Sequence, residues 1–419
     1  MSIGYACLTL GVLYTDQKSC LLKNASETKL RELIAYNLNS LEKIIDYNIA
    51  NHISLFRISS DLIPFGSSPV NKLAWWDIFA PQFQVIAQKI KQGGIRVSMH
   101  PGQYTVLNSP HVEVVERAIE DLNYHARVLD CFDVGAEHKI VLHIGGVYND
   151  KKQAVKRFLN NYDQLDSSVK QRLVIENDDK SYSINDVLEI ASVLKVPVIY
   201  DNLHNKINCR DKQKDDNYWI KQCQKTWQEK DGSQKIHYSQ QDPFKQPGSH
   251  SNSIMINQFM DFYENLESKE IDIMLEVKDK NLSAIKCINC TSATKTIKAL
   301  EAEWSRYKYR VLDTSPRDYA ALRELLKNKN EYPAIAFYNL IEEALQKERV
   351  IRNSINAALH IWGYFKNSSS DKEKKSFLKN IDDYEQGKIS LKTLKNFLWK
   401  MAVKYRQTCL LNSYYFIIG

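Results

Sequence analysis

The stretch "RLVIENDDKSYSINDVLEIASVLKVPVIYDN", Arg172 to Asn202, decides the fold. Two short apolar runs, "RLVIEN" and "PVIYDN", flank "SINDVLEIASVLK", where apolar residues recur at helical spacing. A strand, helix, strand unit of this kind pairs its two strands in parallel. Outward in both directions the pattern repeats: "IGYACLTL", "SLFRISS", "IRVSMH", "IVLHIGG", "KIHYSQ" and "IDIMLEVKD" are further strand candidates, and "TKLRELIAYNLNSLEKIIDYNIANH" is an amphipathic helical stretch between two of them. Eight strand candidates alternating with helices predict an α/β fold, a parallel (β/α)8 TIM barrel, over residues 1–295. Residues 300–419 lack strand alternation and read as a smaller all-α domain. Within it "FYNLIEEALQKERVIRNSINAALHIWGYF" is the longest helical pattern, and Asp371 in the polar turn "KNSSSDKEKK" is the candidate N-cap of the next helix.

With 419 residues and 43% hydrophobic composition, the chain can bury a large core and a smaller second one. No apolar run approaches the roughly 20 residues of a membrane span. The opening "MSIGYACLTLGV" reads as a buried strand rather than a signal peptide. The eight cysteines are scattered, which suits a reducing cytoplasm better than a disulfide framework. Cys287 and Cys290 form a single CxxC without a second pair, and read as two incidental thiols rather than a zinc ribbon. Net charge is +7, and from Glu301 onward there are 21 Lys plus Arg against 14 Asp plus Glu, so residues 1–300 are balanced. The basic segment fits either a polyanionic partner or a solvated Lys-rich surface.

The C-terminal strand ends of such a barrel form its active-site face. The third run ends in His100, the fourth carries His143, and the fifth ends in Glu176. The sixth gives Asp201 with His204 just beyond, the seventh Lys235 and His237 with His250 in the following loop, and the eighth Glu276. One histidine near a strand end is ordinarily a satisfied structural residue. Five of the ten histidines and three acids on one rim are costly unless something charged binds among them. Mixed imidazoles and carboxylates select zinc, manganese or iron over calcium or magnesium. The ligand count exceeds one ion's needs, so a cluster of two or three divalent ions is expected, of the kind that hydrolyses phosphodiesters. Lys235 is the odd member: an ammonium among cations either points away or is modified to an anion. His52, His111, His125, His138 and His360 receive no catalytic role. Gly145 and Gly146 form a weak phosphate-cradle signal, and Trp75 and Trp76 fit a lid or the core.

In order, "GYACLTLG", "FRISSDLIPFGSSP", "SMHPGQY", "VLHIGG", "IENDD", "DNLHN", "KIHYSQQDP", "KQPGSH" and "EVKDK" resemble the bacterial and fungal UV damage endonucleases, relatives of endonuclease IV. The resemblance covers about residues 1–285. It implies a metal-dependent DNA repair enzyme that nicks DNA immediately 5′ to pyrimidine dimers and 6-4 photoproducts, leaving a 3′-hydroxyl. It implies a cluster of two or three ions, manganese first, with zinc or magnesium as alternatives. The implied ligands are His100, His143, Glu176, Asp201, His204, His237, His250 and Glu276, with Lys235, Glu176 and Glu276 as catalytic residues and Lys235 carboxylated. Gln103 and Tyr104 match a loop pair that wedges into the duplex at the lesion, and Tyr5 matches a tyrosine near the scissile site. One departure is Ser68 in "PFGSSP", where the family pattern places a ligating histidine, so one metal position is expected to be weaker or completed by water.

The implied partner is double-stranded DNA carrying UV lesions, met by a cytoplasmic monomer with no membrane association. The tail resembles a small helical domain of unknown function. An abasic-site endonuclease of the endonuclease IV type and a metal-dependent sugar isomerase share fold and metals and stand as alternatives. A non-catalytic DNA-binding module is the remaining rival, supported by Ser68 alone.

Overall fold

The computed structural model describes residues 1–418. Eight parallel strands close into a barrel in sequence order: β1 (Ile3–Ala6), β2 (Leu55–Ile58), β3 (Arg96–Met99), β4 (Ile140–His143), β5 (Leu173–Glu176), β6 (Val198–Asp201), β7 (Lys235–Tyr238) and β8 (Asp272–Leu275). β1 pairs with β8 through Ile3 and Ile273, which removes both sheet edges. All eight apolar runs become strands, because a strand covered on both faces must be apolar almost throughout. Each ordered strand is four residues long.

Helices form the outer layer for the reason that the spacing suggested. The helix Glu27–Ala50 buries Leu30, Leu33, Ile34, Leu38, Leu41, Ile44 and Ile45 along one stripe. Each such side chain is worth about 1.5–3 kcal/mol of burial. Ser26 starts the helix by accepting the Lys29 N–H. Ile184–Leu194, the helix of the deciding stretch, begins with a reciprocal capping box between Ser183 and Asp186. Gly4 is required where β1 meets β2, since a Cβ there would lie 1.9 Å from the Leu55 carbonyl oxygen.

Side chains alternate along a strand, so each four-residue strand offers the interior two positions. Several of these positions hold charge. At the N-terminal end Arg96 Nη1 donates to Asp272 Oδ2 at 2.9 Å, and Lys139 pairs with Asp231 at 2.5 Å. Val141, Val174 and Ile199, one each from β4, β5 and β6, pack together with Trp227.

The chain divides into two compact units, and the second comprises Leu10–Leu13, Met255–Met260 and Lys286 onward. Its helices after residue 296 are Ile297–Leu312, Pro316–Leu325, Ala334–Gln346, Ile351–Trp362, Asp371–Glu385, Leu391–Lys404 and Thr408–Leu411. They enclose a core of Leu312, Ala357, Ile361, Phe365, Phe377, Leu394, Leu398 and Tyr415. Two details differ from the sequence reading. The long helical pattern breaks at Lys347–Val350, where Arg349 Nε reaches Asp313 Oδ2 at 3.2 Å and Lys347 pairs with Asp318. Those ion pairs override local propensity. The N-cap of Asp371–Glu385 is Ser370, one residue earlier than expected, because Ser370 and Glu373 make a capping box. Among the described residues no helix is long and apolar enough to cross a membrane.

Candidate metal centre

Strand register sets the site. His143 is the partner of Glu176, and Asp201 the partner of His237, so β4 to β7 deliver these four side chains to one level. His100 follows the last residue of β3 and Glu276 the last of β8. The imidazoles form an arc around the mouth: ring centroids lie 6.2 Å apart for His237 and His100, 5.0 Å for His100 and His143, 5.8 Å for His143 and His204, and 6.4 Å for His204 and His250. Three groups have ligand atoms close enough to share an ion: His100, His143 and Glu176; Glu176, Asp201 and His204; and Glu176, His237 and Glu276. Glu176 belongs to all three. His250 joins through Glu276, with its Nε2 3.8 Å from Oε2.

Local structure aims these atoms. Asp201 ends β6 and caps the following helix Asn202–Ile207, its Oδ1 accepting the His204 N–H at 2.7 Å. That leaves Oδ2 buried without a hydrogen-bond partner. Asn177 clamps the same residue, accepting from the Asp201 N–H and donating to its carbonyl. The Asn177 carbonyl also takes His204 Nδ1–H at 2.9 Å, which fixes the tautomer and turns Nε2 outward. His100 Nδ1 likewise donates to the Pro101 carbonyl at 3.0 Å. Its Nε2 lone pair then faces Glu176 Oε2 at 3.2 Å. Two acceptors at that separation repel unless a cation sits with them. His143 Nδ1 and His237 Nε2 are also buried without partners. Those orphaned atoms, with the paired acceptors, fit divalent ions.

The electrostatics agree. Burial alone would raise Glu176, but His237 and His143 beside it hold its pKa well below the ordinary carboxylate value. Burial, with Arg57 and His143 adding to it, lowers His100 to about 4. Burial raises Asp201. His204 is pushed up to about 9 by Asp201, Glu176 and Glu276 against the opposing effect of burial.

A cleft of about 800 Å³ opens over these residues and is lined by Arg57, His100, Gln103, Tyr104, His143, His204, His250 and Glu276. Tyr104 is 72% exposed and its ring covers Gly102, where a Cβ would lie 2.4 Å from the ring. Gly145 has φ +108° and faces Asn108 Oδ1, and it lines a smaller cavity of about 200 Å³ beside His143 and His204.

Three residues lie elsewhere than at the mouth. Tyr5 is fully buried and turned to the helix layer, its hydroxyl donating to Asn48 Oδ1 at 2.8 Å and bonded to Thr9. Strand alternation is the reason: neighbouring Arg57 on β2 points inward, and Tyr5 shares the outward register of Phe56. Lys235 points inward but sits one interior position below His237, fully buried, with its pKa driven far down by burial and by Arg96 and Arg57. It therefore does not point away from the barrel interior. Ser68 is outside the cleft lining, its Oγ accepting the Val70 N–H. Trp75 is core, against Phe83 and Tyr124.

Sequence reasoning missed Arg57, whose Nη1 lies 2.5 Å from Glu276 Oε1. It also missed a support for His100, where His125 Nε2 bonds Ser60 Oγ at 2.9 Å and Ser60 donates to the His100 carbonyl at 2.8 Å. A third omission is the basic rim of Lys180, Lys245, Lys278 and Lys280. The inward position of Arg57 in "FRISS" was readable by counting two residues along the strand.

Residues 3–308 match the family model described as UV-endonuclease UvdE, and residues 308–418 match one described as a protein of unknown function, DUF1722. A UV DNA damage endonuclease of Clostridium perfringens is 42% identical over 407 residues, spanning 94% of this chain and 96% of that protein. One from Bacillus cereus is 30% identical over 282 residues, 67% of this chain and 88% of that one. The crystal structure of SacUVDE superposes with a TM-score of 0.66 at 38% identity, covering 69% of this chain and 97% of that one.

Proposed function

The chain belongs to the UV-endonuclease UvdE family, and from that membership we propose that it nicks DNA immediately 5′ to pyrimidine dimers and 6-4 photoproducts by metal-assisted hydrolysis. The observation that carries the reading is the convergence of three imidazole and carboxylate groups on Glu176 beneath an exposed Gln103 and Tyr104. His100, His143, Glu176, Asp201, His204, His237, His250 and Glu276 would hold two or three ions, manganese first. When bound, such ions lower the pKa of a water and stabilise charge on a leaving oxygen.

The chain's own residues do the rest. Glu176 and Glu276 flank His237 and carry the catalytic assignment with Lys235, which we read as a carboxylated lysine: its neutral amine would add carbon dioxide and release a proton, placing an anion beneath the ligand set. Arg57 pins Glu276 and also lines the cleft, where it can meet a phosphate oxygen. In the reaction the water oxygen bonds to phosphorus and the bond from phosphorus to the 3′ oxygen breaks. That oxygen takes a proton and leaves as a 3′-hydroxyl. A photoproduct stacks and pairs badly, so extruding it costs a few kcal/mol less than extruding an intact base pair. Gln103 and Tyr104 fill the gap.

Supercoiled plasmid, irradiated or not, incubated with manganese or EDTA, tests this. Nicked circles only with irradiation and manganese are expected. Equal nicking of unirradiated, depurinated plasmid would move the substrate to abasic sites.

A further inference from the structure

The loop after β7 carries a side chain that this reading leaves unused. Gln241 and His250 close it through an isolated antiparallel bridge. Inside, the Asp242 N–H donates to the Ser249 carbonyl at 2.8 Å. Gln241 Nε2 donates to the Asp242 and Gln246 carbonyls at 2.8 and 3.0 Å, and its Oε1 accepts the Gly248 N–H at 2.8 Å. Asp242 Oδ1 accepts the Phe244 N–H at 3.1 Å, while Oδ2 lies 3.1 Å from Lys245 Nζ and 3.5 Å from Lys278 Nζ. This is a pinned hairpin, yet it holds Phe244 at 94% exposure. Single exposed apolar side chains are common on protein surfaces; this one is set apart by its pinned backbone and by its neighbour Lys245, which lines the cleft.

Its place in the barrel says what it contacts. β3 and β7 are four strands apart in a closed order of eight, hence on opposite sides of the mouth. Tyr104 rises from the loop after β3 and Phe244 from the loop after β7. Lys180, Lys245, Lys278 and Lys280 line the cleft with His250 and Gly248 of the Phe244 loop. Aromatic faces interleaved with ammonium groups suit a strand of phosphates carrying stackable bases.

We propose that Phe244 is a second DNA-contacting ring, which stacks on an unstacked base across the cleft from Tyr104. The proposal rests on the DNA reading above and extends it to the far side of the substrate.

The test uses the full chain and Phe244→Ala, Phe244→Leu and Phe244→Trp variants, binding a labelled duplex with one thymine dimer in EDTA. Alanine and leucine should each weaken binding about tenfold, the loss of one base–aromatic stack. Tryptophan should restore it. The slope of log affinity against log salt should stay unchanged, because no phosphate contact is lost. The thermal midpoint should not move, since the ring is outside the core. Binding by Phe244→Ala within twofold of the parent chain overturns the proposal, and so does leucine equal to phenylalanine, which would leave an apolar contact without stacking. Plasmid nicking in manganese is a separate arm. Nicking by the parent chain with no effect of Phe244 sinks the proposal alone. Absence of nicking with the Phe244 effect intact sinks the hydrolytic reading alone. Absence of both binding and nicking by the parent chain overturns both, and absence of binding alone sinks the proposal.

Discussion

His237 Nδ1 lies 2.6 Å from Glu176 Oε1, a pair that joins β7 to β5 past the intervening β6, with both side chains fully buried. Glu176 spends its other oxygen on the His100 side, 3.2 Å from Nε2. One carboxylate thus links the three groups.

Glu176→Gln replaces that shared anion by a neutral amide of the same shape. Manganese binding, followed by calorimetry, should weaken by at least about a hundredfold, more than loss of an outer-shell partner costs, and nicking of irradiated plasmid should fall at least as far. Full manganese stoichiometry and affinity in the variant would remove the bridging role.

Tyr104→Ala should leave the thermal midpoint unchanged, because the ring is mostly exposed. Its effect belongs to discrimination. The ratio of affinity for dimer-containing over intact duplex should fall about tenfold, the value of one stacked ring. An unchanged ratio would show that the loop does not probe the helix.

Lys180 lines the cleft from the β5 loop. Lys180→Ala should lower the slope of log affinity against log salt by about 0.9, one phosphate contact, equally for damaged and intact DNA. A slope unaltered within error would place Lys180 off the backbone path.

His138 lies at the opposite end of the barrel, where the Val97 N–H donates to its Nδ1 at 3.0 Å. Burial, with Arg96 and Arg172 nearby, lowers its pKa to about 4. The unfolded chain's imidazole titrates near 6.5. Above that value both states are neutral and no stability is lost. As pH falls toward 4 the unfolded state alone takes the proton, so stability declines, by a few kcal/mol at most. His138→Gln removes that slope, and urea unfolding at pH 7 and pH 5 should show a smaller pH loss in the variant than in the parent. Equal losses would mean that His138 is protonated in the fold.

In the second unit Asp313 is fully buried between Arg310, Arg349 and Lys395, at 3.8, 3.2 and 3.4 Å. Asp313→Ala leaves those cations without their shared anion, at a cost of about 3–5 kcal/mol. Calorimetry should show a lower thermal midpoint in the variant than in the parent chain. An unshifted midpoint would contradict the assignment.

The barrel was legible because buried parallel strands are short apolar runs and the spaces between them carry helical periodicity. The rim was legible by reading which residue ends each run. Which face a residue takes was harder. Tyr5 and Arg57 both sit in quoted motifs, yet one turns to the helices and the other to the mouth, and the partner that reveals Arg57 is Glu276, 219 residues away. The helix break at Lys347–Val350 has no glycine or proline to announce it. Only the neighbouring Asp313 and Asp318 explain it. The pinned hairpin under Phe244 depends on a glutamine folding back on its own loop, which no periodicity encodes.

The four-residue strands have one further consequence. β7 places Lys235 and His237 at its two interior positions, and β8 places Asp272 within the barrel and Glu276 just past its end. Only one thin interior layer, with Val141, Val174 and Ile199 on β4 to β6 and Met274 between Asp272 and Glu276 on β8, separates the rim from the charged floor, and Lys235 interrupts it. A change chosen to toughen that layer would therefore press directly on the groups above it, whereas the outer helices offer freer choices for adaptation to heat.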